Sequence, residues 1–305
     1  MADWFGPPPS ASADVKIYVG NQTSSTNQWQ TWVKPRGKTM LYAFAMGSGA
    51  GGGGGFSAAA AAARGGGGGG GSAAYAKCVF PLTLLPDILY LTVPGPSAGG
   101  AAGATGSSGV LSLINVYPDN STDTNAVLIS GGSTVPTGGG GGTGVAAGAA
   151  GGAGALKTTQ ALFSSYGFNS AALAGVVGLI GGVQTGAVGT SSPFSTSIIN
   201  MGGPGGAGTT SADFAGAGAT AISNSYISII APAVPAAGSN NGSDGPTLWK
   251  PFFSYCGCSG SASNAGIGGN GGNSAPGSGG PGGGGGTTGG SGGTGGPGLI
   301  MLIAW

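Results

Sequence analysis

Short apolar runs separated by long glycine-rich stretches set the pattern of this chain. Residues 15–19, Val-Lys-Ile-Tyr-Val, alternate apolar and polar side chains, the period-two signature of a half-buried strand. Residues 39–46 (Thr-Met-Leu-Tyr-Ala-Phe-Ala-Met), 75–80, 88–93, 110–116 and 126–129 are further strand candidates, and 226–230 is another apolar run. Pro118-Asp119-Asn120 supplies the turn between two of them. The stretch Leu299-Ile-Met-Leu-Ile-Ala-Trp305 is strongly apolar and needs a partner, because an unpaired segment of that kind aggregates. It is expected to pair beside residues 39–46, bringing both ends of the body to one base.

Helix is poorly supported. The six alanines at 58–63 are stopped by glycine on both sides, and isolated helices below about 12 residues are marginal. Residues 156–174 hold a short helix at most, since Gly167 interrupts them.

The glycine itself demands an explanation. Glycine costs about 0.5–1 kcal/mol relative to alanine in ordered structure. Over 74 positions that penalty rivals the net stability of a domain, so something requires bare backbone. Gly268-Gly-Asn-Gly-Gly-Asn273 and Gly289-Gly-Ser-Gly-Gly-Thr-Gly-Gly-Pro-Gly298 repeat every three residues. Polyproline-II geometry also has three residues per turn, so Gly-Gly-x leaves two of three faces without side chains. Neighbouring helices can then approach until backbone N–H and C=O groups bond between them, satisfying buried polar groups without a large hydrophobic core. Collagen keeps one Gly per triplet over long proline-rich runs, and Ser274-Ala-Pro276 breaks the phase here. The fold expected is mainly β: a glycine-rich β-sandwich-like body with polyglycine-II helices and little or no α-helix.

Charge narrows the function. The chain is only 5% charged, with 8 Lys plus Arg, 7 acids and a net charge of +1. That excludes a nucleic-acid partner, which needs clustered cations to neutralise phosphates. Lys34, Arg36 and Lys38 are the closest grouping, and they read as a solvated turn. No signal-peptide pattern opens the chain, and the longest apolar stretch, 171–182, is too short and glycine-rich to span a bilayer. The expectation is a protein made in a cytoplasm without membrane insertion.

Residues 1–36 stand apart, holding Trp4, Phe5, Trp29 and Trp32 around the Pro7-Pro-Pro9 run. Aromatic side chains are enriched at interface cores, so these four are candidates for docking onto a partner; covering the body's own core is the equal alternative. The division expected is a Trp-rich docking segment at 1–36 and a body at 37–305 closed by the strand at 299–305.

The succession Trp32-Val-Lys-Pro35-Arg-Gly37, the strand at 40–46, Gly47-Ser-Gly-Ala-Gly51 into polyglycine, a second glycine block at 65–71 with Tyr75, and the final Gly-Gly-x repeat running into 299–305 resembles glycine-rich bacteriophage tail-fibre and adhesin proteins. The resemblance covers most of the chain from about Trp29 onward. It implies a polyglycine-II and β scaffold on the virion surface, made in the host cytoplasm, whose loops touch a host surface protein or polysaccharide. Its partners would be other virion proteins of the fibre, tail or capsid. Fibres commonly assemble as homotrimers, although no residue pattern here specifies one. No known fibre-binding module stands in residues 1–36, so a capsid decoration protein, head fibre or neck appendage with a purely structural role is the alternative.

Catalysis finds no support. Without His there is no Ser-His-Asp or Cys-His arrangement, and all seven acids are Asp, with only Asp119 and Asp123 close together. Three cysteines without His make no metal spacing, so no cofactor and no metal are expected. Recognition is left to aromatic residues in mixed segments between glycine blocks: Phe163, Tyr166, Phe168, Phe194, Phe214, Tyr226, Trp249, Phe252, Phe253 and Tyr255. Rigid rings beside small polar residues suit adaptable contacts, whereas a scaffold short of large side chains also needs such rings as local core.

Overall fold

A computed structural model describes residues 13–21, 29–119, 125–132, 134–157, 171–182, 199–209, 238–249 and 252–305. Almost all its regular structure is strand, and one 3-10 turn at Leu82–Leu84 is the helical element among the described residues. The alanines at 58–63 form turns, with Ala61 at φ 60°.

The strands are β1 (Asp14–Val19), β2 (Trp29–Val33), β3 (Met40–Met46), β4 (Tyr75–Pro81), β5 (Ile88–Thr92), β6 (Leu113–Asn115), β7 (Ala126–Ile129), β8 (Ala171–Leu173), β9 (Thr247–Trp249), β10 (Phe252–Ser254) and β11 (Leu299–Ala304). One antiparallel sheet has the order β1-β11-β3-β4-β8, a second has β2-β5-β6-β7, and β9 and β10 form a hairpin. The closing strand pairs where its apolar character requires, with Leu299 opposite Met46 and Ala304 opposite Leu41. Its other edge is taken by β1, so Leu299–Ala304 is buried along its whole length.

Alternation decides the core. Leu41, Ala43 and Ala45 share one face of β3 with Ala76, Cys78 and Phe80 of β4 and Ile300 and Leu302 of β11. That face packs on Trp32, Leu89, Leu91, Ile114 and Leu128 of the second sheet, giving a sandwich. Both strands from residues 14–33 are therefore strands of the body's own sheets.

Where the sandwich ends, the polyglycine begins. Residues 49–55 donate in a stride of three: Gly49, Gly52 and Gly55 to the carbonyls of Gly296, Gly293 and Gly290; Ala50 and Gly53 to Gly71 and Gly68; Gly51 and Gly54 to Ser107 and Ala104. Their carbonyls accept in the same stride, from Gly100 and Gly103, from Gly139 and Gly142, and from Gly280 and Gly283. Six neighbouring segments thus surround one three-fold helix. Residues 65–71 have the same surroundings, bonding to segments 137–143, 179–182, 280–283, 50–56, 148–151 and 203–206. These two helices and residues 278–286 bond to one another through Gly53 to Gly68, Gly67 to Gly283 and Gly283 to Gly53. They are the centre of the lattice.

Side chains follow position in that lattice. At the centre every face meets backbone, and a Cβ at Gly52, Gly53 or Gly67 would overlap the carbonyl oxygen of Pro281, Gly140 or Gly53. Residues 51–55 and 65–71 are accordingly all glycine. At the rim one face is free, and the Gly-Gly-x segments place Asn270 and Asn273 in solvent. A more exposed helix, 175–182, has neighbours on one side chiefly: Gly175, Gly178 and Gly181 abut backbone while Val177 and Ile180 are exposed.

Polar side chains close the seam between sheet and lattice, where neither hydrogen-bond pattern can continue. Ser112 Oγ donates to the Met46 carbonyl at 2.7 Å, and Asn200 Nδ2 donates to the carbonyls of Ala73 and Gly277 at 2.7 and 3.1 Å. Ser274 and Ser278 donate to the carbonyls of Gly279 and Ser254.

Candidate functional site

The molecule has two poles. Strands β3, β4 and β11 enter the lattice at Met46, Tyr75 and Leu299, so their other ends, at Met40, Pro81 and Ala304, mark the pole away from it. At the opposite pole the helices turn back on themselves at 57–64, 101–104, 143–147, 264–267 and 287–288.

These turns are tied together. Ser57 bridges Gly286, its hydroxyl accepts from Gly289 N–H at 2.8 Å, and Thr287 N–H donates to the Gly266 carbonyl. The Phe56 ring lies against Gly144, and Gly103, at φ 71°, donates to the Gly55 carbonyl. Arg64 is fully buried beneath them: Nη1 donates to the carbonyls of Ser263 and Asn264 at 2.8 and 2.9 Å, and Nη2 to that of Ala59. The cation therefore satisfies carbonyls where lattice neighbours run out. Above it the described turns are uncharged and carry small residues, with Val145 81% and Ile267 61% exposed. This surface suits shape-based contact with a neutral partner.

Sequence reasoning did not find this surface, because alanine, threonine and glycine turns carry no aromatic signal. The aromatic candidates fall elsewhere. Phe163, Tyr166, Phe168, Phe194, Phe214 and Tyr226 lie outside the described residues, as do Trp4 and Phe5. Trp249 and the half-buried Phe253 flank the β9–β10 hairpin beside the first sheet, and Trp249 is 45% exposed. Phe252 and Tyr255, expected as contacts, are buried. Phe252 packs edge-on against Phe44 with centroids 6.0 Å apart, and Tyr255 packs with Met201 and Cys256. Trp32, expected as a docking residue, is likewise core, and Trp29 is partly buried against Leu113 and Ile129. In a scaffold poor in large side chains these rings are the available filling for gaps between sheets and lattice.

The other pole holds a cleft of about 400 Å³ lined by Val33, Lys34, Pro35, Arg36, Gly37, Lys38, Leu82, Thr83 and Asp87. Lys34 Nζ is held by the Leu85 carbonyl at 3.0 Å, the Leu82 carbonyl at 3.3 Å and Asp87 at 3.0 Å. The sequence showed the three cations but not that the 3-10 turn closes a cleft against them.

Other chemistry is sparse. Cys78, Cys256 and Cys258 are buried and form no disulfide, and burial pushes the Cys256 thiol well up, so it stays protonated. Among the described residues there is no metal-binding group of His, Cys, Asp or Glu, and no helix is long and apolar enough to cross a membrane. Asp119 accepts from the Asn125 amide within its turn. No protein-family model matches the chain, and no curated protein matches it either.

Proposed function

We propose that this chain is a bacteriophage virion-surface protein, a tail-fibre or adhesin tip that presents the lattice turns to a host-cell surface receptor. The observation that supports this reading is the polar organisation of the molecule. A bonded polyglycine lattice holds five described turns at one pole, with uncharged and exposed side chains, while the sheets occupy the other. Preorganised turns lose little entropy on binding, which favours recognition by a surface lacking large anchors. Trp249, exposed on the hairpin, and the half-buried Phe253 are the aromatic candidates among the described residues that reach solvent. A host outer-surface protein or polysaccharide is the receptor class, and other virion proteins are the mounting partners.

Binding of purified protein to host cells tests the reading. Wild-type protein is expected to bind, and the double variant Val145→Asp, Ile267→Asp to lose at least tenfold in apparent affinity while keeping its fold. Immunogold label at the tail tip agrees with this function. Label over the head, with normal adsorption by particles lacking the protein, would replace it with a structural capsid or head-fibre role.

A further inference from the structure

The cleft at the sheet pole is the feature that the receptor-binding reading leaves unused. The chain carries few charges, yet Lys34, Arg36 and Lys38 all line this one cleft, against a single acid, Asp87. Asp87 is already paired with Lys34. Arg36 is exposed, and Gly37, at φ 76°, fixes the turn that carries it. Arginine is enriched at protein interfaces because its planar fork binds carboxylates in a bidentate manner. Beside the cations stand apolar side chains that no other part of the described structure covers: Val33, which lines the cleft, is 65% exposed, and Ile88, its partner across β2 and β5, is exposed too. A cation-lined cleft with an apolar rim matches a peptide better than a free inorganic anion, which would use the charges and leave the rim wet.

We propose that this cleft receives an acidic, partly apolar segment of a partner protein, with a carboxylate at Arg36 and an apolar side chain over Val33 and Ile88. Charge complementarity selects the occupant. Lys34 shapes the wall, since its ammonium is already engaged by two carbonyls and Asp87. The inference rests on the virion reading only for the partner's identity, a protein of the particle that carries the chain. The site lies at the pole opposite the turns, so it leaves them free to meet a receptor.

The test uses the full chain and three fluorescent probes: a peptide alternating Asp and Glu with Leu, a Lys-Leu peptide of equal length, and a single-stranded oligonucleotide. The acidic peptide is expected to bind with an affinity that falls as ionic strength rises, and the Lys-Leu peptide not to bind. Arg36→Glu is expected to weaken acidic-peptide binding about tenfold or more, and Val33→Asp to weaken it as well. Thermal unfolding at wild-type temperature shows that each variant is folded. Failure of the acidic peptide to bind at low salt, equal binding by the charge-reversed variant, or binding of the oligonucleotide alone overturns the proposal. Host-cell binding by the charge-reversed variant is expected to equal wild type, so loss of the cleft and loss of receptor recognition are separate results.

Discussion

Arg64 and Ser263, far apart in the chain, are joined at the lattice pole by a hydrogen bond of 2.8 Å from the buried guanidinium to a backbone carbonyl. The same side chain holds Asn264 and Ala59, so one cation fastens two turns that the polyglycine stride alone leaves open. Its Nε has no partner among the described residues.

Replacing Arg64 by Met keeps much of the volume and orphans these carbonyls. Unsatisfied buried acceptors cost about 1–3 kcal/mol each, partly offset by relief of burying a charge, so a net loss of about 2–3 kcal/mol is expected. Denaturant unfolding measures it, and faster amide exchange in residues 57–64 and 263–267 locates it. A variant as stable as wild type would show that the clasp is incidental.

Lattice position predicts tolerance to alanine. Gly53→Ala forces a Cβ onto the Gly140 carbonyl and is expected to cost about 3 kcal/mol or more, or to prevent folding. Ser291→Ala, at an outward position of a Gly-Gly-x segment, should stay within about 0.5 kcal/mol. Equal effects at the two sites would contradict the lattice described above.

Amide hydrogen exchange reads the lattice directly. The N–H groups of residues 49–55 and 65–71 are all bonded and buried, so their protection should match that of β3 and β11. Exchange at the rate of a free glycine peptide is the outcome that would dismantle this fold.

At the hairpin, burial separates two neighbouring rings. Phe252→Ala empties a site against Phe44 and should cost about 3–5 kcal/mol. Trp249→Ala removes a ring that is 45% exposed and should cost about 1 kcal/mol or less. Trp249→Ala is therefore the variant suited to binding assays, and the two unfolding midpoints check the difference.

Alkaline pH should unfold the protein through buried phenols. Burial pushes both Tyr42 and Tyr75 up to about 12 from an ordinary value of 10. Between those values the unfolded chain loses protons that the folded chain keeps. Stability is thus fully present below pH 10 and falls as pH rises towards 12. Tyr42→Phe removes one such group and should shift the alkaline midpoint upward, followed by tyrosinate absorbance and circular dichroism together. A midpoint below pH 9 would point to other groups.

Much of the architecture was legible in the residues. Alternation at 15–19 marked β1, the apolar run at 88–93 marked β5, and the bare apolar run at 299–305 pointed to the pairing with β3 that Leu299 and Met46 display. Period-three glycine pointed to bare faces in lateral contact. Less legible was which rings would be buried. Trp249, Phe252 and Tyr255 stand in one segment of similar composition, yet only Trp249 of the three faces solvent, because Phe44 and Met201 approach the other two from distant parts of the chain.

The glycine count and its spacing by themselves determined that backbone must pack on backbone, since nothing else repays so many lost side chains. They left open which segment meets which, because N–H and C=O groups are the same at every glycine and carry no address. Turn positions, the sheet base and the Arg64 clasp supplied that address only in three dimensions. They also brought the distant Asp87 to Lys34, Arg36 and Lys38 in one cleft, where three charges close in sequence acquire a wall, a rim and a direction.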